Sequence, residues 1–215
     1  MVKWFTSPDA TPLCFVAYYQ LSPMYEYRKL SVADRKAVIA ARRDRLLPLH
    51  APPHYPGRRL TYILTAACYE HRELIRPAPR RDELASELLA APAEIHAWVI
   101  LPNHYHLLAT VDLAAFREWI RVCHSRLATN WNREDSARGR RVWYRFQDRQ
   151  IRGDGHFYAT MNYIHANPVK HGFAKRADDW PWCSFHRYLV DYGRELLVKL
   201  WRDYPVDRYG AAWDD

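Results

Sequence analysis

The stretch Glu94-Ile-His-Ala-Trp-Val-Ile-Leu-Pro-Asn-His-Tyr-His-Leu-Leu-Ala-Thr-Val111 decides the fold of this 215-residue chain. Its first half, Glu94–Leu101, is apolar on both faces, the pattern of a central strand covered from both sides. Pro102-Asn103 makes a tight connection, and Asn103–Val111 returns as a second strand, which predicts a hairpin. Alternate side chains of a strand share a face, so His104 and His106 project together while Tyr105 points to the other side.

Working outward, Leu60–Ala67 is rich in β-branched and aromatic residues and reads as a strand. Arg80–Leu89 reads as a helix. Leu113–Trp131 is a longer one, with Phe116, Ile120, Leu127 and Trp131 on one stripe. A Gly/Arg-rich loop, Ala137–Arg141, leads to an aromatic strand, Val142–Gln150. A last helix runs from Asp154, a suitable N-cap, to Pro168. The order strand–helix–strand–strand–helix–strand is that of an α+β, ferredoxin-like (RRM-like) antiparallel sheet with helices on one or both faces and an added helix after the last core strand. Ahead of it, Ser31 and Asp34 resemble a capping box that starts a helix reaching about Leu47. That helix is decorated by Arg35, Lys36, Arg42, Arg43 and Arg45. The run Pro48-Leu-His-Ala-Pro-Pro-His-Tyr-Pro-Gly57 then reads as an extended linker. The expected organisation is a basic helical arm and linker over residues 1–57, a principal domain over 58–190 and a tail over 191–215.

Hydrophobic residues make up 49 % and charged residues 26 %, a globular composition. Four scattered cysteines without a C-x-x-C pair suit reduced thiols, and no apolar run approaches the ~18 residues of a membrane span. The first residues lack the pattern of a signal peptide, so a cytoplasmic, nucleoid-associated protein with no membrane partner is expected. The formal charge of +8 is unevenly held. Residues 1–59 carry ten Lys/Arg against four Asp/Glu, and residues 112–152 carry ten against five, whereas 60–111 and 191–215 are each net acidic. Two basic blocks suggest a polyanionic partner, nucleic acid first. Charge alone is equally the signature of solvated faces.

Two places carry chemistry. Two imidazoles at the spacing of His104 and His106 can bind one metal ion, although packed histidines explain an isolated His-x-His as well. On the last helix Phe157, Met161 and Ile164 form a core stripe, and His156, Tyr163 and Asn167 a separate one about a quarter-turn away. Tyr163 and Asn167 are i, i+4 neighbours, and Tyr158 lies on a different side. Packed tyrosines explain that pattern too. Together, a phenol, two imidazoles and an amide oxygen can perform phosphoryl transfer: the phenol is a nucleophile that needs activation, and a divalent ion offsets charge on the phosphate. The nitrogen and oxygen donors are compatible with Mg²⁺ or Mn²⁺, and zinc also accepts such ligands.

At this point the residues resemble a known family. Val99-Ile-Leu-Pro-Asn-His-Tyr-His-Leu-Leu108 is similar to the histidine–hydrophobic–histidine (HUH) motif of single-tyrosine transposases. Tyr163-Ile-His-Ala-Asn-Pro-Val-Lys-His-Gly172 and Trp180-Pro-Trp-Cys-Ser-Phe-His-Arg-Tyr188 resemble segments of the REP-associated tyrosine transposases, in the same order, over roughly Arg58 to Tyr188. The resemblance implies an enzyme that nicks and rejoins single-stranded DNA at short palindromic hairpins. Tyr163 would form a 5′-phosphotyrosine link, and His104, His106 and Asn167 would hold Mg²⁺ or Mn²⁺. Arg35, Lys36, Arg42, Arg43, Arg121, Arg126, Arg140, Arg141, Arg145, Arg149, Arg152 and Lys170 are the candidate DNA contacts, with Trp143, Tyr144 and Phe146 as stacking surfaces. A monomer is favoured over a homodimer. The rival expectations are a hairpin-binding DNA or RNA protein that has lost catalysis, and a metal-dependent nuclease using water.

Overall fold

The chain divides into two units, Met1–Tyr55 and Pro56–Asp215. The computed structural model describes Ser31, residues 59–206 and Tyr209. The arm helix and its basic residues lie outside the described residues.

Four strands, β1 (Arg59–Cys68), β2 (Glu94–Ile100), β3 (His104–Asp112) and β4 (Trp143–Gln150), form one sheet in the order β2-β3-β1-β4, with every neighbouring pair antiparallel. The helices are α1 (Ala78–Leu89), α2 (Leu113–Glu134), α3 (Asp154–Lys170) and α4 (Phe185–Asp203). This is the ferredoxin-like α+β arrangement the sequence predicts, with helices on both faces.

Strand alternation builds two cores. Tyr62, Leu64, Ala66, Tyr105, Leu107, Ala109 and Val111 meet Leu84 and Leu88 of α1 and Phe116, Ile120, Leu127 and Trp131 of α2. On the opposite face Ile63, Ala97, Val99 and Leu108 meet Met161, Tyr163 and Ile164 of α3. The Asp112 carboxylate caps α2 by accepting from the Ala114 and Ala115 N–H groups at 3.0 and 3.2 Å.

Two expectations for α3 are corrected. The helix does not stop at Pro168 but continues to Lys170. Pro168 lies in the last turn, where its missing N–H costs one bond only, and the chain turns off at Gly172, whose φ of 72° suits glycine. Nor is Tyr163 on a stripe apart from the core. Thr160–His165, Asn167 and Pro168 are all buried, because α3 is covered from several sides. The Asn162 amide donates to the Leu200 and Tyr204 carbonyls, both at 2.9 Å. The His165 ring meets Ser184 Oγ at 2.9 Å, and Ser184 Oγ accepts from the Trp98 N–H at 3.0 Å. The segment Trp180–Ser184 thereby closes the outer edge of β2: Ile100 N–H donates to Trp182 O, and Ser184 N–H to Trp98 O, each at 2.9 Å. α4 runs through residue 190, with a break at Gly193 (φ 78°), so helical packing continues past the expected start of the tail. No helix among the described residues is long and apolar enough to cross a membrane.

Cys68, Cys123 and Cys183 are free and buried, and burial raises their thiols to about 12, 11 and 12. They are packing groups, kept protonated. His124 stacks on Trp143 at 4.0 Å between centroids, with its Nε2 3.0 Å from the Tyr105 hydroxyl.

Two tests follow from this packing. Leu64 is fully buried in the central strand β1, so Leu64→Ala should cost about 2–5 kcal/mol in urea unfolding. A loss below half a kilocalorie would mean that the core is elsewhere. Burial also pushes His124 and His165 down to about 3, whereas unfolding returns each to ~6.5. Between those values the unfolded chain binds protons the native chain refuses, so their stabilising effect is complete above ~6.5 and is lost as pH falls towards 3. The urea midpoint should drop between pH 7.5 and pH 4.5. A constant midpoint contradicts it.

Candidate active site

β3 and α3 supply the site. Register places Thr65 of β1 and Val99 of β2 opposite His106, and Ala67 opposite His104. His104 and His106 therefore stand on the sheet face that α3 covers, and Tyr105 is buried in the other core, as alternation predicts. The two imidazoles are 5.0 Å apart between centroids. Tyr163 Oη lies 3.4 Å from His106 Nε2, and Asn167 Oδ1 lies 3.3 Å from His104 Nε2. The structure thus brings Tyr163, His104, His106 and Asn167 together at one place. Tyr163 is only 1 % exposed.

Neighbouring polar groups orient the rings. His104 Nδ1 is 2.7 Å from Asn103 Oδ1. Asn103 Oδ1 and Asn167 Oδ1 both accept, and a neutral ring donates once; the shorter contact assigns the proton to Nδ1, which leaves the Nε2 lone pair facing Asn167. His106 Nδ1 is 2.7 Å from Thr65 Oγ1. Among the described residues no trio of His, Cys, Asp or Glu is gathered to hold a metal ion. The donors on hand are two imidazoles and one amide.

Four further neighbours surround these side chains. The Lys170 ammonium sits 5.1 Å from the centre of the Tyr163 ring, a cation–π geometry that also places positive charge beside the phenol. Lys170 was expected as a DNA contact, but its place in the site is new. The His171 ring is 5.1 Å from that of His104. The Tyr209 ring packs 5.6 Å from that of Tyr163, its hydroxyl hydrogen-bonds Thr160 Oγ1, and burial is the main cause raising its phenol. Thr65 joins through strand register. Asn103, Lys170 and His171 are adjacent to motif residues and so were open to a closer reading; Thr65 and Tyr209 needed the fold. His156 stands apart, with its Nδ1 accepting from the Arg152 N–H at 3.2 Å. Tyr158 is also elsewhere, stacked on Tyr204 at 5.0 Å.

The candidate DNA contacts differ in their surroundings. Arg121 pairs with Glu118, and Arg126 with Glu87. Arg140 is tied to Asn132 and Asp135, which also binds the buried Arg80, so it fastens the end of α2 to the following loop. Arg145, Arg149 and Arg152 are exposed. Arg141 lies over Tyr69 and Tyr144. Trp143 and Phe146 pack against the core, leaving Tyr144 at 52 % exposure as the open ring of the strand. Arg35, Lys36, Arg42 and Arg43 fall outside the described residues.

The four-stranded ferredoxin-like sheet carries His-x-His on β3, with a tyrosine helix laid across it, and the comparisons with known proteins place the chain among transposases. No family model matches the chain. A REP-associated tyrosine transposase of Escherichia coli (strain K12) is 35 % identical over 125 residues, covering 57 % of this chain and 67 % of that protein. A Haemophilus influenzae protein assigned to the same transposase group is 32 % identical, covering 53 % and 69 %. A solved REP-associated tyrosine transposase, bound to a REP hairpin, superposes with a TM-score of 0.50 at 25 % identity, covering 66 % of this chain and 86 % of that one. This chain belongs to the REP-associated tyrosine transposase family.

The assigned tautomer is testable without any substrate. Nitrogen NMR at pH 8 should find the His104 proton on Nδ1, and Asn103→Ala should shift it towards Nε2. A proton on Nε2 in the unaltered protein would contradict the geometry.

Proposed function

We propose that this protein nicks and rejoins single-stranded DNA at hairpin-forming palindromic repeats, with Tyr163 as the nucleophile. The observation that carries the reading is the convergence of four motif residues from two elements, Tyr163 on His106 and Asn167 on His104, at 3.4 and 3.3 Å. Membership of a transposase family, and a structural neighbour that is bound to a REP hairpin, support the substrate class.

In this mechanism the Tyr163 phenol gives up its proton as Oη bonds to phosphorus. The P–O3′ bond breaks, and the 3′ oxygen leaves as a hydroxyl once protonated. The 5′ end stays on Tyr163 as a phosphodiester. That bond conserves the energy of the one broken, so a 3′ hydroxyl can reverse the step without ATP. Lys170, beside the phenol, is placed to attract the phosphate, and packing around the ring restricts Oη to one approach.

The donor set fits a divalent ion. His104 Nε2 and Asn167 Oδ1 are both acceptors, yet they face each other, while Asn167 Nδ2 is buried without a hydrogen-bond partner. Turning the amide over would hand Nδ2 to the ring. The orientation present is the one a cation between the two acceptors favours. His104, His106 and Asn167 would hold Mg²⁺ or Mn²⁺, which supplies positive charge to polarise the scissile phosphate.

The test is trapping. Incubation with a single-stranded hairpin oligonucleotide and Mn²⁺ should yield a protein–DNA adduct that survives denaturation, and Tyr163→Phe should abolish both adduct and nicking. Nicking that persists in Tyr163→Phe with no adduct assigns the attack to water. Substituting Asn103 by Ala should weaken Mn²⁺ binding in calorimetry by about 10–100-fold, the usual effect of removing the partner that orients a histidine ligand. Unchanged affinity would mean that Asn103 does not orient a metal ligand.

A further inference from the structure

We propose that Tyr69, Arg141 and Tyr144 form a platform that stacks an unpaired base of the DNA strand next to the active site. The proposal rests on the hairpin-nicking reading and adds a contact to it.

The Arg141 guanidinium lies 4.5 Å from the centre of the Tyr69 ring and 5.6 Å from that of Tyr144. The two rings are 6.2 Å apart and tilted by 43°. Arg141 is held in place, with its Nε donating to the Trp143 carbonyl at 3.2 Å, while Arg141 and Tyr144 are both exposed residues. Side-chain entropy has therefore been spent on an arrangement that buries little, which suits a surface waiting for a flat partner. Aromatic faces interleaved with guanidinium planes accept any base, and the charge accepts the phosphate beside it.

Position and charge select the partner. Tyr69 N–H donates to Val142 O at 2.8 Å, and the adjacent Cys68 N–H donates to Asn103 O at 2.7 Å. The platform is thus one backbone step from the residue that holds His104, at the same end of the sheet. Residues 138–152 contain six arginines and a single acid, Asp148. Glu70 and His71, which follow Tyr69, take left-handed φ values of 55° and 51°. Two successive non-glycine residues in that region are costly, and such strain is kept where a loop must present a side chain.

The experiment compares three probes on the full chain: a DNA hairpin with single-stranded tails on both sides, the same hairpin with abasic tails, and a blunt hairpin. Abasic tails keep the phosphates and remove the rings, so the difference between the tailed probes reports stacking alone. The unaltered protein should bind the base-bearing tails about 5- to 150-fold more tightly than the abasic ones in fluorescence anisotropy. Tyr144→Ala should erase most of that preference, and Tyr144→Trp should restore it, with unchanged thermal melts showing that both variants fold. The platform is overturned if the unaltered protein treats the two tails alike, or if Tyr144→Ala keeps the preference. Discrimination between tails without a Tyr163 adduct leaves the platform standing and removes the nicking reading; an adduct without discrimination does the reverse.

Discussion

The site depends on a match between two repeats. Along β3, His104 and His106 are two residues apart, a rise of about 6.7 Å. Along α3, Tyr163 and Asn167 are four residues apart, a rise of about 6 Å. With the helix laid antiparallel to the strand, both pairs meet at once: Asn167 reaches His104 and Tyr163 reaches His106, at nearly equal distances of 3.3 and 3.4 Å. A spacing of two or five on the helix, or of one on the strand, would turn one partner onto another face. The remaining packing keeps α3 flat against the sheet. Met161 and Ile164 press on Val99 and Leu108, His165 is fastened through Ser184 to β2, and Asn162 is fastened to the end of α4.

Burial sharpens the chemistry. A surface tyrosine would rotate freely, whereas Tyr163 is fixed by the core beneath it, by Lys170 over its ring and by Tyr209 at its side. The His104 tautomer is set by Asn103, the residue that also shapes the hairpin turn. One short loop therefore both joins two strands and aims a ring nitrogen.

Much of this was open to inspection in the residues themselves. The strand pair around Pro102-Asn103 and the stripe Phe116, Ile120, Leu127 and Trp131 follow from periodicity, because each of these elements buries a regular set of positions. The His-x-His pair and the Tyr163/Asn167 pair could be placed on their faces, but nothing local said that the two faces meet; the match to a known family supplied that step. α3 misled in two respects. Its polar residues Asn162 and His165 are buried because the end of α4 and the β2-edge segment supply their partners, and no periodic rule anticipates partners 19 to 42 residues away. Pro168 looked like a stop, yet a proline in the last turn sacrifices little. The basic block was visible as charge. Which arginines are tied down, as Arg140 is by Asp135 and Asn132, and which are presented, as Arg141 is over two tyrosines, is decided by contacts between distant segments.

The central claim is that the phenol of Tyr163, and no other group, takes the phosphate. Peptide mapping by mass spectrometry of protein reacted with a hairpin oligonucleotide and digested by nuclease tests it most directly. The account predicts a single residual nucleotide on the peptide containing Tyr163. A nucleotide carried instead by Tyr158 or Tyr209, or DNA cut with no peptide modified, would contradict it.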